Sequence, residues 1–192
     1  MKPTILKLST MLLLFAVLSA GCQKNEDLFE LKSGDENAVI QKEIDGIEFK
    51  FCLLNEAGEP ATIFNEGENF TFQFSITNNT ATTLYYDVSL LDVNEFCEVK
   101  HNQVSYGMPY VKPVMIELIG KVAWGIPKGS SSTDTIKWIP SSDTWEDGFV
   151  AYRKGNSTLL SPGTYHTEFS HRFNFDTKQT SKLTFKINFE IK

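Results

Sequence analysis

The chain has 192 residues, with 24 acidic and 18 basic side chains and a formal net charge of −6. Hydrophobic residues make up 41% of it, which is enough for one domain with a sizeable core. An acidic chain lacks the Lys and Arg patches that bind phosphate backbones, so we predict no nucleic-acid partner.

The first 22 residues are organised like an export signal. Lys2 and Lys7 precede an apolar run at residues 11–18, which is too short to span a bilayer as a helix. The sequence LSAGC then ends at Cys22. This order resembles the bacterial lipoprotein signal, in which the chain is cleaved before the cysteine and the sulfur carries the lipid. The alternative is an ordinary secretory signal that ends near a cysteine.

The resemblance predicts a signal peptide at residues 1–21, a lipidated flexible tether at 22–43 and a folded domain at 44–192. The tether is predicted because polar, turn-rich stretches such as QKNED and SGDEN do not pack. The acidic pair Glu26-Asp27 is similar to the export signal of Bacteroides-type surface lipoproteins. It implies a protein held by its lipid at the outer membrane and exposed at the cell surface.

Alternating apolar residues predict strands that bury one face. Between Phe70 and Ile76, every second residue is Phe or Ile, and Asn78-Asn79-Thr80 then marks a turn. The same period occurs at residues 47–54, 84–90, 134–138, 165–175 and 183–191. After residue 22 no stretch has the helical period, so we predict an all-β, antiparallel β-sandwich.

Three short segments resemble bacterial immunoglobulin-like domains, including those similar to the intracellular proteinase inhibitor of bacilli. They are EGE before FTFQFSITNNT, PKGS before the strand that ends at Trp138, and LSPGTY at residues 160–165. The resemblance implies an immunoglobulin-like sandwich, with an inhibitor-like role as a distant alternative. The long segment at residues 91–127 departs from a minimal domain of this type.

Two cysteines remain beside Cys22. An even number of cysteines in an exported protein is compatible with a bridge between Cys52 and Cys97. The alternative is two separate, half-buried thiols. Without a Cys-x-x-Cys motif, redox catalysis is not expected.

Enzyme and metal signatures are lacking in the sequence. It contains no Gly-x-Ser-x-Gly, His-Glu-x-x-His, P-loop or Gly-x-Gly-x-x-Gly motif. His166 and Glu168 share one strand face, but a metal site needs three or four ligands. We therefore predict a non-enzymatic protein with no cofactor and no metal.

Aromatic residues in predicted loops are the best candidates for ligand contact. Tyr106, Tyr110, Trp124 and Trp145 fall in or near the segments at 91–127 and 141–152. Such side chains can stack on sugars or anchor a protein, or they can cap the ends of the core. We predict a binding or accessory module that contacts a protein or glycan. The alternative is a structural subunit of a surface assembly that offers or accepts an edge strand.

Overall fold

The computed structural model describes residues 27–87, 91–115, 123–147, 150–176 and 178–192. The predicted signal peptide and Cys22 lie outside these residues. The strands in chain order are β1 (Asp27–Leu31), β2 (Val39–Ile44), β3 (Ile47–Leu54), β4 (Ile63–Phe64), β5 (Thr71–Asn78), β6 (Leu84–Asp87), β7 (Val99–His101), β8 (Val104–Gly107), β9 (Tyr110–Met115), β10 (Ala123–Ile126), β11 (Ser131–Lys137), β12 (Thr144–Asp147), β13 (Val150–Lys154), β14 (Gly163–His171) and β15 (Leu183–Ile191). One short helix, α1 (Val93–Phe96), precedes β7. The predicted all-β, sandwich-like character is confirmed.

Two large sheets supply most of the fold. The first sheet has the order β1-β15-β14-β7-β8, and β4 also pairs with β15. The second sheet has the order β11-β5-β3-β2, and each of its pairs is antiparallel. Two smaller sheets, β10-β6 and β12-β13-β9, accompany them.

The core between the large sheets is built mainly from phenylalanine. On β5 the alternation places Phe72, Phe74 and Ile76 inside, where each is at most 2% exposed. The Phe74 ring lies 5.4 Å from that of Phe169 on β14 and 5.6 Å from that of Phe185 on β15. These contacts join the two sheets across the core, as the period of two in the sequence predicts.

The two ends of the sandwich are distinguished by their turns. At the end that we call the upper end, β3 finishes at Leu54, β5 begins at Thr71 and β15 finishes at Ile191. The Glu66 N–H donates to the Lys192 carbonyl there, 2.7 Å away. At the opposite, lower end, the Lys178 ammonium donates to the carbonyl of Asp45 in the β2–β3 turn.

The tether prediction is wrong for residues 27–43. Strand β1 pairs in parallel with β15 over five residues, and β2 pairs antiparallel with β3 over six. Leu31 and Ile40 are buried at 6% and 5% exposure, which anchors both strands to the core. These two strands have only five and six residues and lie on either side of the polar turn at residues 32–38, so the composition of the whole segment concealed them.

The segment at residues 91–127 is more regular than its sequence indicates. It contains α1, the β7–β8 hairpin, β9 and β10 in its described part. The predicted loop that begins at Ser141 likewise contains β12. In the described part of the chain, no helix is long and apolar enough to cross a membrane.

Candidate functional site

A groove of about 670 Å³ opens at the upper end of the second sheet. Its walls combine strand residues, two loops and two aromatic side chains. The lining residues are Leu54, Asn55, Glu56, Gly58, Asn69, Thr71, Tyr110, Thr135, Ile136, Lys137, Pro140, Ser141 and Trp145. This is where the described structure brings two of the four predicted contact residues, Tyr110 and Trp145, together.

The floor of the groove is formed by three neighbouring strands. Leu54 on β3 pairs with Thr71 on β5, which in turn pairs with Lys137 on β11. Because side chains alternate along a strand, these three project from the face opposite the phenylalanine core. The floor therefore combines the apolar side chain of Leu54 and the buried hydroxyl of Thr71 with the exposed ammonium group of Lys137.

Trp145 and Tyr110 line the same groove but differ in burial. Trp145 on β12 is half-buried, and its ring packs 5.4 Å from the ring of Tyr152. Tyr110 on β9 is only 4% exposed and donates its hydroxyl to the Ser142 carbonyl at 3.2 Å. Burial, aided by the nearby Asp143 carboxylate, raises the pKa of the Tyr110 hydroxyl. Trp145 is thus the aromatic side chain that can meet a ligand.

The rim loops of the groove are fixed by side-chain hydrogen bonds. Asn69 accepts from the Ile139 N–H at 2.8 Å and donates to the Ile139 carbonyl at 3.1 Å. Glu56 accepts from the Asn69 N–H, and Glu68 accepts from the Glu56 N–H. These bonds hold the two sides of the rim in a defined geometry before any ligand arrives.

Among the described residues that line the groove, one side chain carries each charge. Lys137 is exposed, and in the described part of the chain its ammonium has no hydrogen bond or ion pair. Glu56 is also exposed and contributes the carboxylate. The other polar side chains are uncharged amides and hydroxyls, from Asn55, Asn69 and Thr71 among others. Together with the apolar side chains of the lining, such a surface suits a ligand that has both an apolar face and hydrogen-bonding groups, and little net charge.

The other two predicted contact residues lie elsewhere. Tyr106 on β8 is 48% exposed, and its ring packs 5.2 Å from that of Tyr165 on β14. Trp124 on β10 is 42% exposed and pairs with Tyr86 on β6. Neither residue lines the groove.

Two details of the aromatic prediction are therefore wrong. All four aromatic residues lie on strands and none in a loop, because short hairpins fill the segments that looked irregular. Tyr110 is a core residue, so for this side chain the capping alternative holds.

Cys52 and Cys97 are free thiols, so the predicted disulfide is not present. Cys52 lies on the outer face of β3, where its thiol is 3.8 Å from the side-chain amide oxygen of Gln73. Cys97 belongs to the buried core on the other side of the sheet. Burial raises the pKa of Cys52 to about 11 and that of Cys97 well above its ordinary value. The alternative of two separate thiols therefore holds, but both are buried and not half-buried as predicted.

The histidines occupy structural positions. Burial lowers the pKa of His166 and of His171, which lie on β14. His101 contacts the Thr164 carbonyl through Nδ1, which ties β7 to β14. Among the described residues, no group of three or more His, Cys, Asp or Glu side chains could hold a metal ion.

Several groove residues were missed by sequence reasoning. Lys137 is the last residue of β11, and Asn69 lies in the loop before β5, where it is hydrogen-bonded to Ile139. Only the tertiary structure shows that both face one groove. Thr71 is the first outward-facing residue of β5, and the alternation along this strand would have allowed its orientation to be predicted. No protein-family model matches the chain, and neither a curated protein nor a solved structure similar to it is found.

Proposed function

We propose that this protein is a lipid-anchored, non-enzymatic binding module of the outer membrane, and that the groove at the upper end is its contact surface. The observation that carries the proposal is the half-buried Trp145 ring in an open groove whose lining combines apolar side chains, uncharged polar groups and one side chain of each charge. Among the described lining residues are no histidine and no cysteine. The predicted partner is a protein or a glycan.

The fold proposed for this module is immunoglobulin-like. In its support, β11, β5 and β3 form one sheet, and β15, β14 and β7 form the sheet that faces it. The short β4 pairs in parallel with the last strand, which brings the chain from one sheet to the other. The lipid anchor rests on the sequence around Cys22.

Replacement of Trp145 by Ala tests the groove as the contact surface. The acylated full-length protein in detergent is applied to an array of glycans and an array of random twelve-residue peptides. We expect the variant to lose binding at least severalfold, because a buried aromatic anchor typically contributes more than about 1 kcal/mol.

Trp124→Ala is the matched control. Trp124 is a second tryptophan with a partly exposed side chain, and it lies outside the groove. Its replacement should leave binding unchanged. Equal losses in both variants, or unchanged binding in Trp145→Ala, would contradict the proposed contact surface.

A further inference from the structure

Strand β11 forms one edge of the second sheet. It pairs with β5 over seven consecutive residues, Ser131–Lys137, without a register shift. In the described part of the chain, no strand pairs with its other side. Three consecutive residues at its upper end, Thr135 to Lys137, line the groove. The free edge and the groove are therefore continuous.

The hydrogen bonds identify the backbone groups that point away from the sheet. Trp138 donates to the Phe70 carbonyl and Asn78 donates to the Ser130 carbonyl, both at 2.9 Å. These bonds extend the β11–β5 register at both ends. Because bonded and non-bonded pairs alternate in an antiparallel ladder, the even-numbered residues of β11 bond to β5. The N–H and C=O groups of Ser131, Thr133, Thr135 and Lys137 therefore point to the free edge.

This edge has few of the features that protect sheet edges from pairing. The four outward residues have exposed side chains, and Lys137 is the only charged one among them. The strand contains no proline and no bulge. Other edges differ. The edge strand β8 has four residues and a register shift in its pairing with β7. The edge strand β2 lies beside β1, and residues of both strands line a second cavity.

We propose that β11 accepts an extended polypeptide segment of a partner protein as an additional strand, with one side chain of that segment in the groove beside Trp145. The inference deepens the proposed function and rests on it, because it names the partner of the same groove. Each outward residue of β11 can exchange two backbone hydrogen bonds with the added strand.

The residues along the edge define the chemistry of the partner segment. Next to Ser131, Thr133 and Thr135, β-branched and hydroxyl side chains would pack best across the strands. An acidic residue would pair with Lys137, which has no ionic partner in the described structure. An aromatic or aliphatic residue would follow at the end that reaches Trp145. Proline is excluded, since it lacks the N–H that the ladder needs.

Thr135→Pro tests the edge without altering the inner ladder. The Thr135 N–H points outward, and proline is tolerated on edge strands where this is the case. Thr135→Val retains the N–H and serves as the control, and Thr133→Pro is a second variant of the same design. A phage library of random twelve-residue peptides is selected on the acylated full-length protein, and the enriched peptides are measured against each variant.

We expect enriched peptides with β-branched residues and no central proline, and at least tenfold weaker binding to Thr135→Pro than to Thr135→Val, because only proline removes the outward N–H. Hydrogen exchange at residues 131, 133, 135 and 137 should slow when a peptide is bound. Peptides that bind the proline variants equally well, or no enrichment, would overturn the inference. Binding of glycans alone, lost in Trp145→Ala and kept in Thr135→Pro, would overturn it and leave the proposed function intact. A wild-type dimer that Thr135→Pro dissociates would overturn it in favour of a second copy as the partner.

Discussion

Asn78 is a buried polar residue on which the lower end of the sandwich depends. Its side chain is fully buried and donates to the carbonyls of Thr82 and Ile126, each at 2.8 Å. The side-chain amide oxygen of Asn78 accepts from the N–H and the hydroxyl of Thr80. One amide thus joins the end of β5, the turn that follows and the end of β10.

We expect Asn78→Ala to lower the free energy of unfolding by about 2–4 kcal/mol, because several buried backbone groups would lose their partner. Asn79→Ala is the control. The Asn79 side chain is exposed and donates to the exposed Glu43 carboxylate, so its loss should cost less than about 1 kcal/mol. Urea unfolding of both variants measures the difference. Similar values for the two variants would show that the buried amide has no special role.

The difference between the two asparagines was not predictable from the sequence. The run Asn78-Asn79-Thr80 indicates a turn, and the turn is present. Asn78 is the buried asparagine, and its side chain donates to the carbonyl of Ile126, which lies 48 residues further along the chain. Local patterns contain no information about such a contact.

At the scale of elements, β5 offers the clearest test of the alternation. Phe74 contacts Phe51, Phe169, Phe173 and Phe185, whereas its neighbour Gln73 is half-buried on the outer face. We expect Phe74→Ala to cost about 3–5 kcal/mol through the cavity it leaves, and Gln73→Ala to cost less than about 1 kcal/mol. Chemical denaturation of both variants provides the measurement. Equal losses would mean that the faces of β5 are misassigned.

The elements that were predicted correctly share one property. Strands β3, β5 and β15 have eight or nine residues and bury every second side chain in a common core, so the period of two is plain. Strand β2 has the sequence VIQKEI and buries only Ile40 fully, and β8 has four residues of which none is buried. Such strands form because a neighbouring strand supplies hydrogen-bond partners for their backbone N–H and C=O groups, and the amino-acid composition does not reveal these bonds.

The same dependence on contacts between strands explains why only part of the candidate site was predictable from the sequence. Trp145 was predicted as a contact residue from its residue type and its position outside the regular strands. The other groove residues Asn69, Thr71 and Lys137 are distant from it in sequence. Thr71 and Lys137 meet through the register of β5 and β11, and Asn69 is held beside them by its hydrogen bonds to Ile139. A groove that is formed by register can be predicted only when the strand order is known.

At the scale of the whole molecule, the strand directions fix where the N-terminal segment joins the domain. Because β1 runs parallel to β15, Asp27 pairs with Leu183 at the lower end, and it accepts a hydrogen bond from Ser181. The groove lies at the upper end, about 26 Å away along the nine residues of β15. A lipid on Cys22 would be at most about 18 Å from Asp27, since an extended residue spans about 3.5 Å. We therefore expect the groove to face away from the membrane.

Fluorescence energy transfer to the membrane surface tests this orientation. Ser181→Cys places a thiol at the lower end, and Ala57→Cys places one in the exposed β3–β4 turn at the upper end. The native thiols should not react under native conditions, because Cys52 and Cys97 are buried and their pKa values are raised. Each variant is labelled with a maleimide donor, and the acylated protein is incorporated into vesicles with acceptor-labelled headgroups.

We expect clearly higher transfer from position 181 than from position 57. Cys22→Ser in each background is the control, because a chain without an acceptor for the lipid should remain unbound and show no transfer. Vesicle binding that survives this substitution in a chain from which residues 1–21 have been removed would contradict the lipid anchor itself. Equal or reversed transfer in the acylated proteins would instead contradict the orientation alone, and the groove would then be free to meet ligands on the membrane surface.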